Sequence, residues 1–328
     1  MKINYTYNKT KKIKKLLQKL EVLKQVVELL PNLPHIEKNL RREAFLRSSL
    51  FSARIEGNKL NFEDIKNLGK TKPKILTKIE VFNIFQAANW LFSKKIPKRL
   101  SLKLILKFHS FALNGISSQA GKLRREPSAI FNQAGVAVYV TPPANEIKKL
   151  LLQLIKSVNR SKDPVPVNSV ICHFAFEKIH PFIDGNGRVG RLLSSFILIK
   201  SGYEYKGFTS LEEYLEKNRQ AYYDFLQVNK KDITKFIEFY LEALVIQTEK
   251  GINKFKTNKV ELPQDQLLPR RREILEIIKD HKTVSFDFIS RRFLVIPEST
   301  LHYDLRQLMK KGFIKKLGAT KGVVYEKK

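Results

Sequence analysis

The sequence predicts a mainly α-helical protein with one small β-hairpin inside the helical body and a helix-helix-helix-hairpin module at its C-terminal end. Three observations carry this. Apolar residues recur at helical spacing through the first 255 residues, as in Leu16-Leu17-Leu20-Leu23, Ile79-Phe82-Ile84-Phe85 and Leu150-Leu151-Leu154-Ile155. A short apolar run, Val136 to Val140, closes on Pro142-Pro143 and reads as a strand able to pair with residues around Ile130-Phe131. Past Pro263 the pattern changes to two helical segments and a hairpin behind the basic opening Arg270-Arg271-Arg272.

Taken in order, the helical body is punctuated by breakers at Pro31 to Pro34, Gly57-Asn58, Lys70 to Pro73 and Asp163 to Pro166. One helix runs from about Glu43 to the Gly57 stop. The C-terminal module opens with a helix carrying Ile274, Leu275, Ile277 and Ile278. Helical segments follow over roughly Phe286 to Phe293 and Pro297 to Lys311, then a hairpin in which Phe313-Ile314 and Val323-Val324 flank Gly318 to Gly322. That is winged-helix order. The domain reading is a regulatory N-terminal region over 1–95, a core over 96–258 and a winged-helix domain over 262–328.

Composition narrows the class. The 43% hydrophobic content suits a soluble globular protein with more than one core. The longest apolar runs, such as Leu192 to Ile199, fall short of a bilayer span, and Met1-Lys2-Ile3-Asn4 lacks a secretory signal's apolar stretch. The reading is therefore cytoplasmic, with no membrane partner. The single cysteine, Cys172, excludes an internal disulfide and a multi-cysteine zinc site, and reads as a core residue. A net charge of +31 attracts nucleic acid, anionic lipid or acidic protein without choosing among them, and solvated lysine-rich helix faces account for part of it.

The chemistry is concentrated in His180-Pro181-Phe182-Ile183-Asp184-Gly185-Asn186-Gly187-Arg188-Val189-Gly190-Arg191, which runs straight into the apolar helix Leu192 to Ile199. Every part suits a bound polyphosphate. Gly185 and Gly187 allow close backbone approach where a helix begins, so free amides and the helix dipole face an anion. Arg188 and Arg191, three apart, share a helix face and reach successive phosphates. Asp184 is the hard oxygen ligand that Mg²⁺ takes when phosphates complete its shell. His180 accepts a proton near neutral pH.

Two other patterns lie in the same stretch. Gly185, Gly187 and Gly190 spell G-x-G-x-x-G, with Glu204 where a ribose-binding acid would stand, but the helical periodicity of Val170 to Ile179 replaces the buried strand that a dinucleotide fingerprint needs. His173, Glu177 and His180 fall at i, i+4 and i+7 like metal ligands, yet the residue before Pro181 avoids α geometry and leaves that face. His173 is then a core or supporting histidine.

The segment resembles, at every defined position, the signature of the Fic family, H-x-F-x-[D/E]-G-N-G-R-x-x-R. The preceding His173-Phe174-x-Phe176-Glu177-x-Ile179, Gly121-x-x-Arg124, the hairpin and Pro142-Pro143 are similar to that family as well. The resemblance implies a Fic-type helical core with a small β-hairpin flap, and an activity: transfer of AMP from ATP to a Ser, Thr or Tyr hydroxyl of a protein target. It implies that His180 deprotonates the hydroxyl, that Asp184 holds Mg²⁺, that Gly185, Asn186, Gly187 and Arg188 form the phosphate nest, and that Arg191 meets the γ-phosphate. In-line transfer of this kind needs mainly positioning, a metal and charge stabilisation. The family hairpin docks a target by strand addition, which points here to roughly Ile130 to Val140.

A second motif lies upstream. Ser52-Ala53-Arg54-Ile55-Glu56-Gly57-Asn58 resembles the inhibitory [S/T]-x-x-x-E-[G/N] motif of Fic proteins with an N-terminal brake. Taken alone it is a helix C-terminus with an exposed glutamate. The family implies instead that Glu56 pairs with Arg191 and misplaces ATP, and in some members the same glutamate supports removal of AMP.

The C-terminal module has two readings. Leu301, Leu305 and Leu308 recur as in a recognition helix, and Arg291, Arg292, Arg306, Lys310, Lys311, Lys315, Lys316 and Lys321 could meet DNA phosphates. Otherwise it is a docking or oligomer surface with solvated lysines. Fic proteins with an N-terminal brake often dimerise, although no self-complementary stripe marks a homodimer here. The alternative function is a DNA-binding transcriptional regulator or toxin-like module whose Fic core is a sensor. The joint presence of His180, Asp184 and both arginines favours an enzyme, with ATP ahead of another donor.

Overall fold

The computed structural model describes residues 5–69, 72–93, 96–131, 137–228, 230–257, 267–318 and 322–328. It divides into two compact units, Met1–Lys256 and Thr257–Lys328. Regions 1–95 and 96–258, expected as regulator and core, share the first unit as far as Lys256. Lys321, Pro263 and the middle of the expected hairpin, 132–136, fall outside the described residues.

The first unit opens with α1 (Lys11–Glu28), whose N-cap Thr10 accepts from the Ile13 amide and whose buried side is Ile13, Leu20, Leu23 and Val27. Helix α2 (Pro34–Ile55) follows. It starts nine positions before Glu43 because Pro34 begins the helix rather than breaking it, its missing N–H falling where no partner is needed. Then come α3 (Phe62–Ile65), α4 (Leu76–Leu91) and α5 (Leu102–Ala112), the last capped by Ser101. Strands β1 (Ala129–Phe131) and β2 (Ala137–Val140) pair antiparallel, with an irregularity between Ile130 and Phe131. Helices α6 (Ile147–Arg160), α7 (Val165–Ile179), α8 (Asn186–Ile199), α9 (Leu211–Lys217), α10 (Arg219–Gln227) and α11 (Thr234–Thr257) complete the unit.

Its centre is the antiparallel pair α7 and α8. Phe108 of α5, Leu151 of α6, Phe176 of α7 and Leu193 and Phe196 of α8 form one buried cluster. On the other side of α7, Phe174 packs with Leu20 of α1, Tyr222 of α10 and Phe236 and Tyr240 of α11. Helix α2 packs on α4, α8 and α9, which brings its C-terminal end to the start of α8. Gly190 permits the closeness of α7 and α8, since a Cβ there would lie 2.4 Å from Glu177 Oε1 and 2.8 Å from His173 Nδ1.

The second unit contains α12 (Pro269–His281), β3 (Thr283–Ser285), α13 (Phe286–Ser290), α14 (Glu298–Lys310), β4 (Ile314–Leu317) and β5 (Val324–Lys327). Its sheet runs β3-β5-β4, all antiparallel. Strand β3 was not expected: the polar-apolar-polar alternation of Thr283-Val284-Ser285 is too short to mark a strand by itself, and the segment becomes one by pairing with β5. Leu301, Leu305 and Leu308 face a core with Ile274 and Ile278. Asp304, also fully buried on α14, receives Arg270 at 2.5 Å and Arg271 at 2.6 Å, so two of the three opening arginines hold the unit together. Among the described residues no helix is long and apolar enough to cross a membrane.

Candidate active site

The site is built on the turn between α7 and α8. His180 ends α7 as its C-cap in the left-handed region, φ 48° and ψ 60°, with its amide still bonded to the Phe176 carbonyl. The ring therefore leaves the His173 and Glu177 face, as Pro181 requires. Among the described residues no group of three or more His, Cys, Asp or Glu converges on a metal position. His173 instead meets the Tyr222 hydroxyl at 2.7 Å inside the core.

Residues 182–185 are closed by the Asn186 side chain, whose Oδ1 accepts from the Phe182 amide at 3.0 Å while its Nδ2 donates to the Phe182 carbonyl at 2.9 Å. Asn186 is 3% exposed, so what it offers a ligand is its backbone N–H. Gly185, at φ 80°, turns the chain into α8 without a side-chain cap, leaving the N–H groups of the first turn facing the cleft. Asp184 stands exposed at the rim and accepts from Arg188 Nη2 through both oxygens, at 2.9 and 2.8 Å.

Arg191 is 2% exposed and meets the end of α2. Its Nε donates to Ser52 Oγ at 2.9 Å, and its Nη2 to the Ser52 carbonyl at 2.9 Å and to Glu56 Oε1 at 2.8 Å. A Cβ on Gly187 would lie 2.2 Å from Glu56 Oε1 and 3.0 Å from Arg191 Nη1. The Glu56 carboxylate thus rests on the bare backbone at the start of α8, where a helix N-terminus receives an anion. Buried Glu177 adds no compensating charge, because burial raises its pKa to about 8 against the pull of Arg191.

The cleft around these groups measures 570 Å³ and is lined by Glu56, His180, Asp184 and Gly187 on one side and by Arg219, Tyr222, Tyr223 and Leu226 of α10 on the other. Burial lowers the His180 pKa to about 4, so its ring is neutral and able to accept a proton at physiological pH.

Three supporting residues were not legible as functional. Arg124, 3% exposed, donates from Nε to the His180 carbonyl at 2.8 Å and from Nη2 to Thr141 Oγ1 at 2.9 Å and to the Pro142 carbonyl at 2.6 Å, tying His180 to the foot of the hairpin. His109 Nδ1 accepts from the Gly121 amide at 2.9 Å, which leaves the proton on Nε2 to donate to the Asp184 carbonyl at 3.1 Å. Its ring stacks on Phe182 at 3.7 Å. The Tyr223 hydroxyl donates to the Ile55 carbonyl at 2.8 Å, holding the end of α2 from the opposite wall. For Arg124 the Gly121-x-x-Arg124 pattern was a signal; for His109 and Tyr223 the sequence offered none.

Comparison with known proteins follows this geometry. The model of the Fic/DOC family matches residues 99–198. Among curated proteins, the protein adenylyltransferases Fic of Drosophila yakuba and Drosophila persimilis are 26% and 27% identical over 238 residues, 69% of this chain. The matched part is 45% and 44% of their own lengths, so the chain spans under half of these relatives. A Fic family protein from Desulfovibrio desulfuricans G20 shares the fold with a TM-score of 0.71 at 23% identity, over 98% of this chain and 97% of that one. Fic-1 from C. elegans does so with a TM-score of 0.62 at 23% identity, over 75% of this chain and 73% of that one. Residues 99–198, which include the turn from His180 to Arg191, are thus similar to the Fic/DOC family, and the fold is that of these Fic structures.

Proposed function

We propose that this protein is a protein adenylyltransferase restrained by its own Glu56. The observation that carries the reading is the carboxylate of Glu56 lodged on Gly187 and Arg191 at the start of α8, an anion held where a phosphate of ATP would be received. In the transfer, the target hydroxyl oxygen attacks the α-phosphorus of ATP and the bond from that phosphorus to the bridging oxygen breaks. Pyrophosphate leaves with the electron pair, and the hydroxyl proton passes to neutral His180. The amides of Asn186, Gly187 and Arg188 and the guanidinium groups of Arg188 and Arg191 receive the phosphates.

The donor set fits Mg²⁺ bound chiefly through the nucleotide: one exposed carboxylate, Asp184, beside the nest, now occupied by Arg188. A bound Mg²⁺ neutralises charge on the phosphates and leaving group. Strands β1 and β2 dock the target segment by strand addition. Arg124, His109 and Tyr223 are positioning groups.

The reaction is tested with α-labelled and γ-labelled ATP on Glu56→Gly and on the double variant Glu56→Gly/His180→Ala. Protein should take up the α-label alone, and only where His180 is present; uptake of γ-label, or α-label without His180, contradicts the reading.

The second unit supports DNA contact as a separate role. Exposed His302, Tyr303, Arg306 and Lys310 lie on the side of α14 opposite its buried leucines, in winged-helix order. Duplex DNA should bind with affinity that falls steeply as salt rises; no binding at low salt assigns the unit to protein docking instead.

A further inference from the structure

Among the described residues, the hairpin that borders the site is paired over only a few positions. Strand β1 has 3 residues and β2 has 4, and their register is irregular at Ile130/Phe131. Two-stranded ribbons of this size are marginal in water. Arg124 secures only its foot, through Thr141 and Pro142. Further out, Val140 is 78% exposed, while the preceding Tyr139 turns to the opposite face of the strand and lines the cleft.

What Tyr139 meets there is Lys178. This side chain, on α7 two residues before His180, is 2% exposed, and its Nζ has no hydrogen-bond partner among the described residues. The ammonium lies 4.2 Å from the centroid of the Tyr139 ring and 5.5 Å from that of Phe174. A desolvated ammonium without an oxygen partner is costly, and facing ring systems are the interaction that offsets the cost. Burial also lowers its pKa to about 8, as expected where no carboxylate compensates.

We propose that Lys178 is a positioning residue, a cationic clasp that binds strand β2 to α7 through Tyr139 and so fixes the hairpin at a set distance from His180. Lys178 lines the cleft together with His180, and in this proposal it acts through Tyr139 on the strand that a target would extend. The clasp is independent of the transfer chemistry, and only its consequence for target affinity rests on the adenylyltransferase reading.

Hydrogen–deuterium exchange on the whole chain tests it without any transfer assay. In Lys178→Met and in Tyr139→Leu, the amides of residues 138–141 should exchange roughly tenfold faster, with those of α7 and α8 unchanged. Lys178→Arg, which keeps a cation over the ring, should stay near the wild-type rate. The double variant Lys178→Met/Tyr139→Leu should exchange no faster than either single one, because both remove the same contact. Wild-type exchange at 138–141 in Lys178→Met overturns the proposal, as does equal acceleration in Lys178→Arg. Should Lys178→Met disturb α7, Tyr139→Leu, which leaves that helix intact, decides. With labelled ATP, Lys178→Met should raise the KM for an acceptor protein and leave ATP affinity as it was; weakened ATP binding would place Lys178 in the nucleotide site and also overturn the clasp.

Discussion

At the scale of single residues, the site works by removing freedom from a few side chains. Burial holds the His180 pKa at about 4, below the usual 6.5, so the neutral base persists until the pH falls through that lower value. The acid limb of kcat/KM should accordingly lie near pH 4 to 5, and a limb at the ordinary histidine value would contradict the buried-base geometry. Replacing His180 by alanine should lower transfer by about 10²- to 10⁴-fold, the usual range for a general base. Asn186→Ala, which deletes two hydrogen bonds inside a buried turn, should destabilise the chain by about 2–3 kcal/mol in thermal or denaturant unfolding. The contiguous motif was legible because its parts are neighbours in the chain. Arg124, His109 and Tyr223 were not assigned roles, since their partners lie 56, 75 and 168 positions away and only folding brings them together.

Helices and strands set the distances that those residues use. Gly190 is the contact point of α7 and α8, so Gly190→Ala must push Glu177 and His173 aside and should cost about 1–3 kcal/mol of stability. The end of α2 is held by the Tyr223 hydroxyl on the Ile55 carbonyl and by Arg54 on Glu216 at 3.0 Å. Loss of the first contact in Tyr223→Phe should loosen Glu56 and raise transfer severalfold, a rise of about one hydrogen bond's worth. Unchanged transfer in that variant would show that the brake does not lean on α10. Helix periods and breakers predicted most of these elements, but two details needed tertiary context. Pro34 looked like a stop and is the first residue of α2, and β3 exists only because β5 is beside it.

At the scale of the whole molecule, a +31 charge did not reveal how its arginines are used. Several are structural: Arg124 braces the hairpin, Arg191 anchors α2, and Arg270 and Arg271 converge on buried Asp304. Asp304→Ala should therefore lower the melting temperature of the second unit, by the equivalent of about 1–3 kcal/mol, because two guanidinium groups lose their charged acceptor. In the proposed reading, the first unit joins a nucleotide-receiving turn within residues 180–191 to the end of α2 within residues 52–58, where Glu56 pairs with Arg191. Their meeting is what makes the protein a restrained enzyme in this account. The most direct test is the initial rate of α-labelled AMP transfer with Mg²⁺ by the wild-type chain and by Glu56→Gly, side by side. Emptying the anion site should raise the rate by roughly tenfold or more, the equivalent of removing one buried charged contact; equal rates would mean that Glu56 does not occupy the place of a phosphate.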